Sequence, residues 1–242
     1  MKCFGPPEWN AYWLGKREID GVYSNRDRIV RRLAAHGTLE GKKVLEVGAG
    51  SGRDGLAVAE LSATVYLLDF SAEALLSIRE REKLGRAFVV CGDACALPFP
   101  EESLDVVFSQ GLLEHLADAR LFLAESFRVL GKGGVLLVDV PQTFHPYTLA
   151  KLFLQASGKW FAGRETQYTM KALCHLAEDA RFTVESRYGD WMVPSFFYRS
   201  LRHVCQVVGL ANLPPVPQAS RVGSERGEGH PYAARRHLAT SL

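Results

Sequence analysis

The sequence predicts an α/β fold: a doubly wound, mostly parallel sheet of six or seven strands with helices on both faces. Three observations carry that expectation. Short aliphatic runs alternate with stretches of helical periodicity across residues 43–140. The runs, among them "KVLEV", "TVYLLD" and "GGVLLVDV", are apolar at consecutive positions, as strands buried on both faces are. Glycines punctuate the strand ends, most densely in "VLEVGAGSGRDGLAVAEL" at residues 44–61.

Taken in order, Ile29, Val30, Leu33 and Ala34 recur at helical spacing within residues 22–35 and give a lead-in helix. "KVLEV" is a strand, "GRDGLAVAEL" a helix, "TVYLLD" a strand, "SAEALLSIREREKL" a helix N-capped by Ser71, and "AFVVC" a strand. "LDVVFS", "LADARLFLAESFRVL" and "GGVLLVDV" supply a fourth strand, a helix and a fifth strand closed by Pro141. Beyond it, residues 146–156 are expected to be helical, "TMKALCHLAEDA" is a helix and "FTVESRY" a sixth strand. "SFFYRSLRHVCQVVGL" places Phe197, Leu201, Val204 and Val208 at helical intervals and stops at Gly209. This amphipathic helix is expected to pack on the sheet; the alternative is contact with a membrane. Residues 1–40 form a lid and lead-in helix, 41–213 the main domain with acceptor-site insertions around 142–170, and the Pro/Gly/Ser/Arg-rich residues 214–242 a disordered tail.

Composition narrows the function classes. With 242 residues, 47% hydrophobic and 23% charged, the chain is long enough for one sizeable core. The net charge is +2, and four arginines against two glutamates in residues 214–242 account for it, so the body is balanced and broad nucleic-acid binding is not expected. Five cysteines without a CxxC pair argue against a disulfide framework and a zinc site. No apolar run reaches the roughly 18 residues of a membrane span, and the first residues lack the apolar core of a signal peptide, so a cytoplasmic protein is expected.

The glycine loop carries the chemistry. A bare backbone at a helix start admits a ligand closely. The dinucleotide pattern G-x-G-x-x-G requires glycine at position 53, which is Arg53, and no Gly-Lys-Ser/Thr follows for a phosphate loop. Glu46, at the mouth of the loop, repels a pyrophosphate and attracts an ammonium or sulfonium. Asp69 ends the second strand, where an acid in this topology accepts from ribose hydroxyls; its alternatives are helix capping or a solvated role. Asp93, after the third strand, is placed to accept from an adenine amino group or to close an Asx turn. The set reads as a site for a cationic nucleoside without phosphate.

"VLEVGAGSG", "LLDFS" and "GDACALPFPEESLDVVFSQGLLEHLADARLFLAESFRVLGKGGVLLV" together resemble a class I S-adenosylmethionine-dependent methyltransferase, in the group that includes ubiquinone and menaquinone C-methyltransferases. The likeness spans residues 42–141, with a fainter echo in "QYTMKALCHLAEDARFTVES". It implies a Rossmann-like sheet, S-adenosylmethionine as cofactor and methyl transfer to a small-molecule or lipid-like acceptor. The alternative is a degenerate domain that binds the nucleoside or a partner without turnover. By resemblance, Gly48, Gly50 and Gly52 pack against the methionine part and ribose, Glu46 reaches the ammonium and Asp69 holds the ribose diol. Asp93 and Ala94 frame the adenine, Phe70 covers it, and Gln110 and Gly111 lie beside the sulfonium. The family's antiparallel seventh strand has no clear counterpart after "FTVESRY"; "WMVPSFFY" is one candidate, an altered sheet edge the other. Methyl transfer from a sulfonium needs alignment more than a base; if the acceptor calls for one, His115 and His145 follow the fourth and fifth strands and are the candidates. Glu114 is assigned to stabilising a helix N-terminus or orienting His115. The segments around residues 9–23, 143–153 and 158–168 are expected to build the acceptor pocket, with Tyr12 and Trp13 in a lid over the cofactor.

Overall fold

Strands form where the aliphatic runs lie. The computed structural model describes residues 6–14, 28–141, 143, 148, 165–189, 198, 201–202, 204–205, 208–209 and 234–236. β1 (Lys43–Val47), β2 (Thr64–Asp69), β3 (Ala87–Cys91), β4 (Leu104–Gln110), β5 (Leu130–Asp139), β6 (Phe182–Val184) and β7 (Ala234–Arg236) make one sheet in the order β3-β2-β1-β4-β5-β7-β6. The first five pair in parallel. The chain winds outward from β1 to β3 and then returns to lay β4 on the other side of β1. That reversal puts the switch point, and hence a ligand crevice, outside the carboxyl ends of β1 and β4.

The helices are α1 (Pro6–Leu14), α2 (Arg28–Ala34), α3 (Arg53–Ala59), α4 (Ala72–Arg81), α5 (Ala119–Val129) and α6 (Met170–Asp179). Their starts follow the sequence. Ser71 caps α4 by accepting from the Ala74 N–H (3.3 Å), and Thr169 caps α6 by accepting from Ala172 (3.2 Å). On one face of the sheet Val44, Val65, Leu67, Val106, Phe108 and Leu137 pack with residues of α2, α3 and α4; on the other Leu45, Val47, Val107 and Leu136 pack with α5 and α6.

Three expectations change. The seventh strand is neither missing nor supplied by "WMVPSFFY", most of which lies outside the described residues. It comes from the tail: Ala234–Arg236 runs antiparallel between β5 and β6, pairing Val135 with Arg235 and Phe182 with Arg236. Its few residues lack the length and aliphatic pattern of a strand, and pairing on both sides supplies what propensity does not. In the helix expected to lie on the sheet, Leu201, Val204 and Val208 are each more than half exposed, so at these positions the apolar spacing serves no buried contact. Finally, β5 begins at Leu130 rather than Gly133, because a register shift against β4 between Leu104 and Val106 accommodates the intervening residues.

Candidate active site

The crevice at the switch point is lined first by backbone. Gly48, Gly50 and Gly52 all have positive φ, at 71°, 51° and 65°, a left-handed conformation that costs an L side chain roughly 1–2 kcal/mol. The loop is braced from within: the Gly48 and Ala49 N–H groups both donate to the Leu68 carbonyl (2.9 and 3.0 Å), and Gly52 donates to Ala49 (2.7 Å). Arg81 of α4 donates to the Ser51 carbonyl.

What a side chain would meet differs at each glycine. A Cβ on Gly48 would lie 3.0 Å from Leu112, and one on Gly52 2.7 Å from Ile78, so the body of the domain fills both faces. A Cβ on Gly50 would lie 2.6 Å from the indole of Trp13, in α1. Of the three glycines expected to face the ligand, Gly52 faces α4 of the sheet's own helical layer, and Gly50 faces α1, the helix that precedes the domain.

The acids are held beside this loop. Asp69 is buried and accepts from the Gly50 and Ser71 N–H groups, each at 2.8 Å. Burial raises its pKa above the usual carboxylate value, against the pull of the Ser71, Gly50 and Phe70 amides. Glu46 accepts from the Gly55 N–H at 2.9 Å, and burial followed by the neighbouring Asp54 charge holds its carboxyl well above the ordinary range. Phe70 is half-buried after Asp69. Asp93 is exposed and accepts from the Cys95 N–H at 2.8 Å, which is the Asx turn read as its alternative; the adjoining Ala94 is buried.

After β4 the expected pair divides. Gln110 lies in a polar wall: its amide nitrogen donates to Asp54 (2.7 Å) and its oxygen accepts from Arg28, oriented to satisfy both neighbours. Arg53 pairs with Asp54 at 2.7 Å and Arg28 with Asp139. Gly111 is exposed at the crevice, its N–H donating to the Asp139 carbonyl (2.9 Å). His115 ends a 3-10 turn, Leu113–His115, with its ring 5.0 Å from that of Trp9 in an edge-to-face arrangement. Glu114 is buried on the same turn. It does not cap α5, whose first turn is capped by Asp118 accepting from Arg120 (2.9 Å). His145 lies outside the described residues, as does most of the insertion around it.

The insertion is nonetheless rooted here. Thr143 Oγ1 donates to the Tyr168 carbonyl (2.7 Å), and the Thr166 N–H donates to the Glu114 carbonyl (2.7 Å). Both roots stand beside the turn that carries His115. Burial, then the Glu114 and Asp118 charges, raises the Tyr168 phenol. A cavity of about 360 Å³ opens at the opposite end of the strands, lined by Leu39, Lys42, Asp105 and Gly131 among others; none of the candidate site residues lines it.

Residues 45–138 match the family described as a methyltransferase domain. The chain is 36% identical over 137 residues to a probable S-adenosylmethionine-dependent methyltransferase of Mycolicibacterium smegmatis, covering 56% of this chain and 48% of that protein. It therefore spans about half the length of that relative. It is 34% identical over 167 residues to the demethylmenaquinone methyltransferase of Renibacterium salmoninarum, covering 67% of this chain and 69% of that protein. This chain belongs to the S-adenosylmethionine-dependent methyltransferases. The methyltransferase fold extends further than the sequence likeness. A chain solved in the complex of the Haloferax volcanii Trm112 methyltransferase activator superposes with a TM-score of 0.68 at 19% identity, over 96% of this chain and 98% of that one.

For this methyltransferase, sequence reasoning named Tyr12 and Trp13 as lid residues but missed that they lie on a helix, α1, and that Asn10 ties it down. Trp9, Tyr12 and Trp13 sit at i, i+3 and i+4, and Pro6 is the first helical residue, both helix signals. Asn10 Oδ1 accepts from the Ser71 hydroxyl at 2.7 Å, beside Asp69. No local signal announces Arg28 or Asp139, which meet only through the fold.

Proposed function

We propose that the chain transfers a methyl group from S-adenosylmethionine to a small-molecule or lipid-like acceptor. The observation that carries this reading is the Gly50–Asp69 hydrogen bond at the switch point, which holds a buried carboxylate beside the glycine loop. Two of the roughly four lone-pair sites of that carboxylate are used by Gly50 and Ser71, which leaves acceptors for a ribose diol. Asp69 places an acidic group at the floor, which suits a cation and opposes a phosphate, with Glu46 buried behind it accepting from Gly55.

The cofactor supplies a methyl group already activated on a sulfonium, and in-line displacement then needs alignment and exclusion of water. Asp69 and the glycine loop fix the nucleoside end. Gly111 leaves the carboxyl end of β4 open for the acceptor's approach. His115, clamped by Trp9, is the group positioned to take a proton from a hydroxyl or acidic carbon. The likeness to a demethylmenaquinone methyltransferase supports an apolar ring-bearing acceptor. The test is a metabolite-extract screen with a labelled methyl donor, followed by mass analysis of what acquires the label. Calorimetric binding of NAD without binding of S-adenosylmethionine sinks the reading.

A further inference from the structure

We propose that Trp13 is a built-in occupant of the donor site: its indole rests on the ligand face of Gly50 in the free protein and must leave before the methyl donor enters. The proposal rests on the reading of the glycine loop as the donor site. In strand–loop–helix sites of this topology the second glycine is bare so that the ligand can approach the backbone there. Gly50 is that glycine. Two indole carbons, Cζ2 and Cη2, lie 2.6 and 2.8 Å from where its Cβ would be. The ring therefore lies against the backbone itself, with no layer of atoms between them, and a ligand cannot share that face with it.

The fastening of α1 suits a displaceable element. It is a nine-residue helix, shorter than isolated helices need to persist in water, and it makes no strand pairing. Asn10 holds it to Ser71, Trp9 meets His115, and Trp13 meets Gly50. Tyr12 links the tryptophans edge to face, 5.4 Å from Trp9 and 5.2 Å from Trp13. The aromatic series thus runs from the candidate base to the glycine loop. Moving Trp13 off Gly50 pulls on the helix that carries Trp9, so arrival of the donor also frees the His115 ring. Tyr12 and Trp13 then form not a cover laid over the donor but a competitor for its place.

An internal competitor weakens apparent affinity by the fraction of molecules in which the site is open. The experiment is calorimetric titration of the full chain with S-adenosylhomocysteine, which binds without turnover. Trp13→Ala is expected to bind it about 5- to 20-fold more tightly than wild type. Asn10→Ala, which loosens α1 without touching Gly50, is expected to tighten binding by a smaller factor, and it carries the test if Trp13→Ala does not fold. Equal or weaker binding by the variant overturns the proposal while leaving the donor site in place. Failure of both wild type and Trp13→Ala to bind, with native circular dichroism, overturns the reading of the loop and this inference with it.

Discussion

Around β1, β2 and α3 the loop amides, the acids and the arginines answer one another in a single hydrogen-bonded block, whereas beyond β4 and β5 the chain is tied back at Thr143, Thr166 and Tyr168. The proposed donor side is drawn mostly from residues 46–81, where the glycine loop is bonded to the end of β2 and to α4. The segment proposed for the acceptor is anchored by Thr143 at one end and by Thr166 and Tyr168 at the other. The first binds the loop to the acids by direct hydrogen bonds, as a fixed ligand site requires; the second anchors the chain at its ends, as surface connections that vary commonly are.

The comparison is broken most severely at Gly52. An alanine there takes on a left-handed conformation and drives its Cβ into Ile78, so Gly52→Ala is expected to lose about 2–4 kcal/mol of stability in urea denaturation. A variant as stable as wild type shows that the block is softer than its hydrogen bonds imply. Asp69→Ala comes next. Charge-assisted hydrogen bonds of about 1.5–3 kcal/mol each are lost and water replaces part of them, so donor affinity is expected to fall roughly 10- to 100-fold. Unchanged affinity places the ribose elsewhere.

Glu46 offers a test through pH. Burial and Asp54 raise its folded-state pKa, so the native protein binds a proton where the unfolded chain has released it. Its contribution to stability is then greatest below the unfolded carboxylate value and is lost as pH rises through the folded one. Glu46→Gln, a mimic of the protonated acid, is expected to match wild type at acid pH and to gain on it as pH rises. Paired denaturation curves whose difference is independent of pH count against a buried charge. The smallest effect is expected on the acceptor side: Thr143→Val removes one hydrogen bond to Tyr168, worth about 1 kcal/mol. It should alter KM for the acceptor while donor affinity stays the same; a matching loss of donor affinity would show the two sides to be one unit.

The same contrast governs what could be read from the sequence. β1, β2, β4 and β5 were legible because each is an aliphatic run largely buried by the layers on either side, and β3, at the sheet edge and only partly buried, because its run is equally apolar. Asp69 and the glycines were legible because strand end, loop and helix start are contiguous. The Asx turn at Asp93 was among the alternatives for the same reason. The partners of Gln110 were not legible, because Arg28 and Asp54, which engage it, come from α2 and α3 and no local pattern links them. Leu201, Val204 and Val208 repeat at helical spacing, but periodicity reports which face is apolar, not whether anything covers it. α1 carried its signals, a proline at the first position and aromatics at i, i+3 and i+4, yet its docking on Gly50 depends on three other elements.

β7 also sets the order in which the protein can be completed. Val135 finds its partner in Arg235, one hundred residues later, and β6 meets the sheet only through that same short segment. During synthesis β5 therefore stands with an open edge, and β6 waits one strand-width away, until Ala234–Arg236 has emerged. Long-range closure of this kind is slow, and an unpaired edge invites pairing with other chains. Losing residues 234–236 would remove no residue of the candidate site, yet it would leave two strands searching for a neighbour.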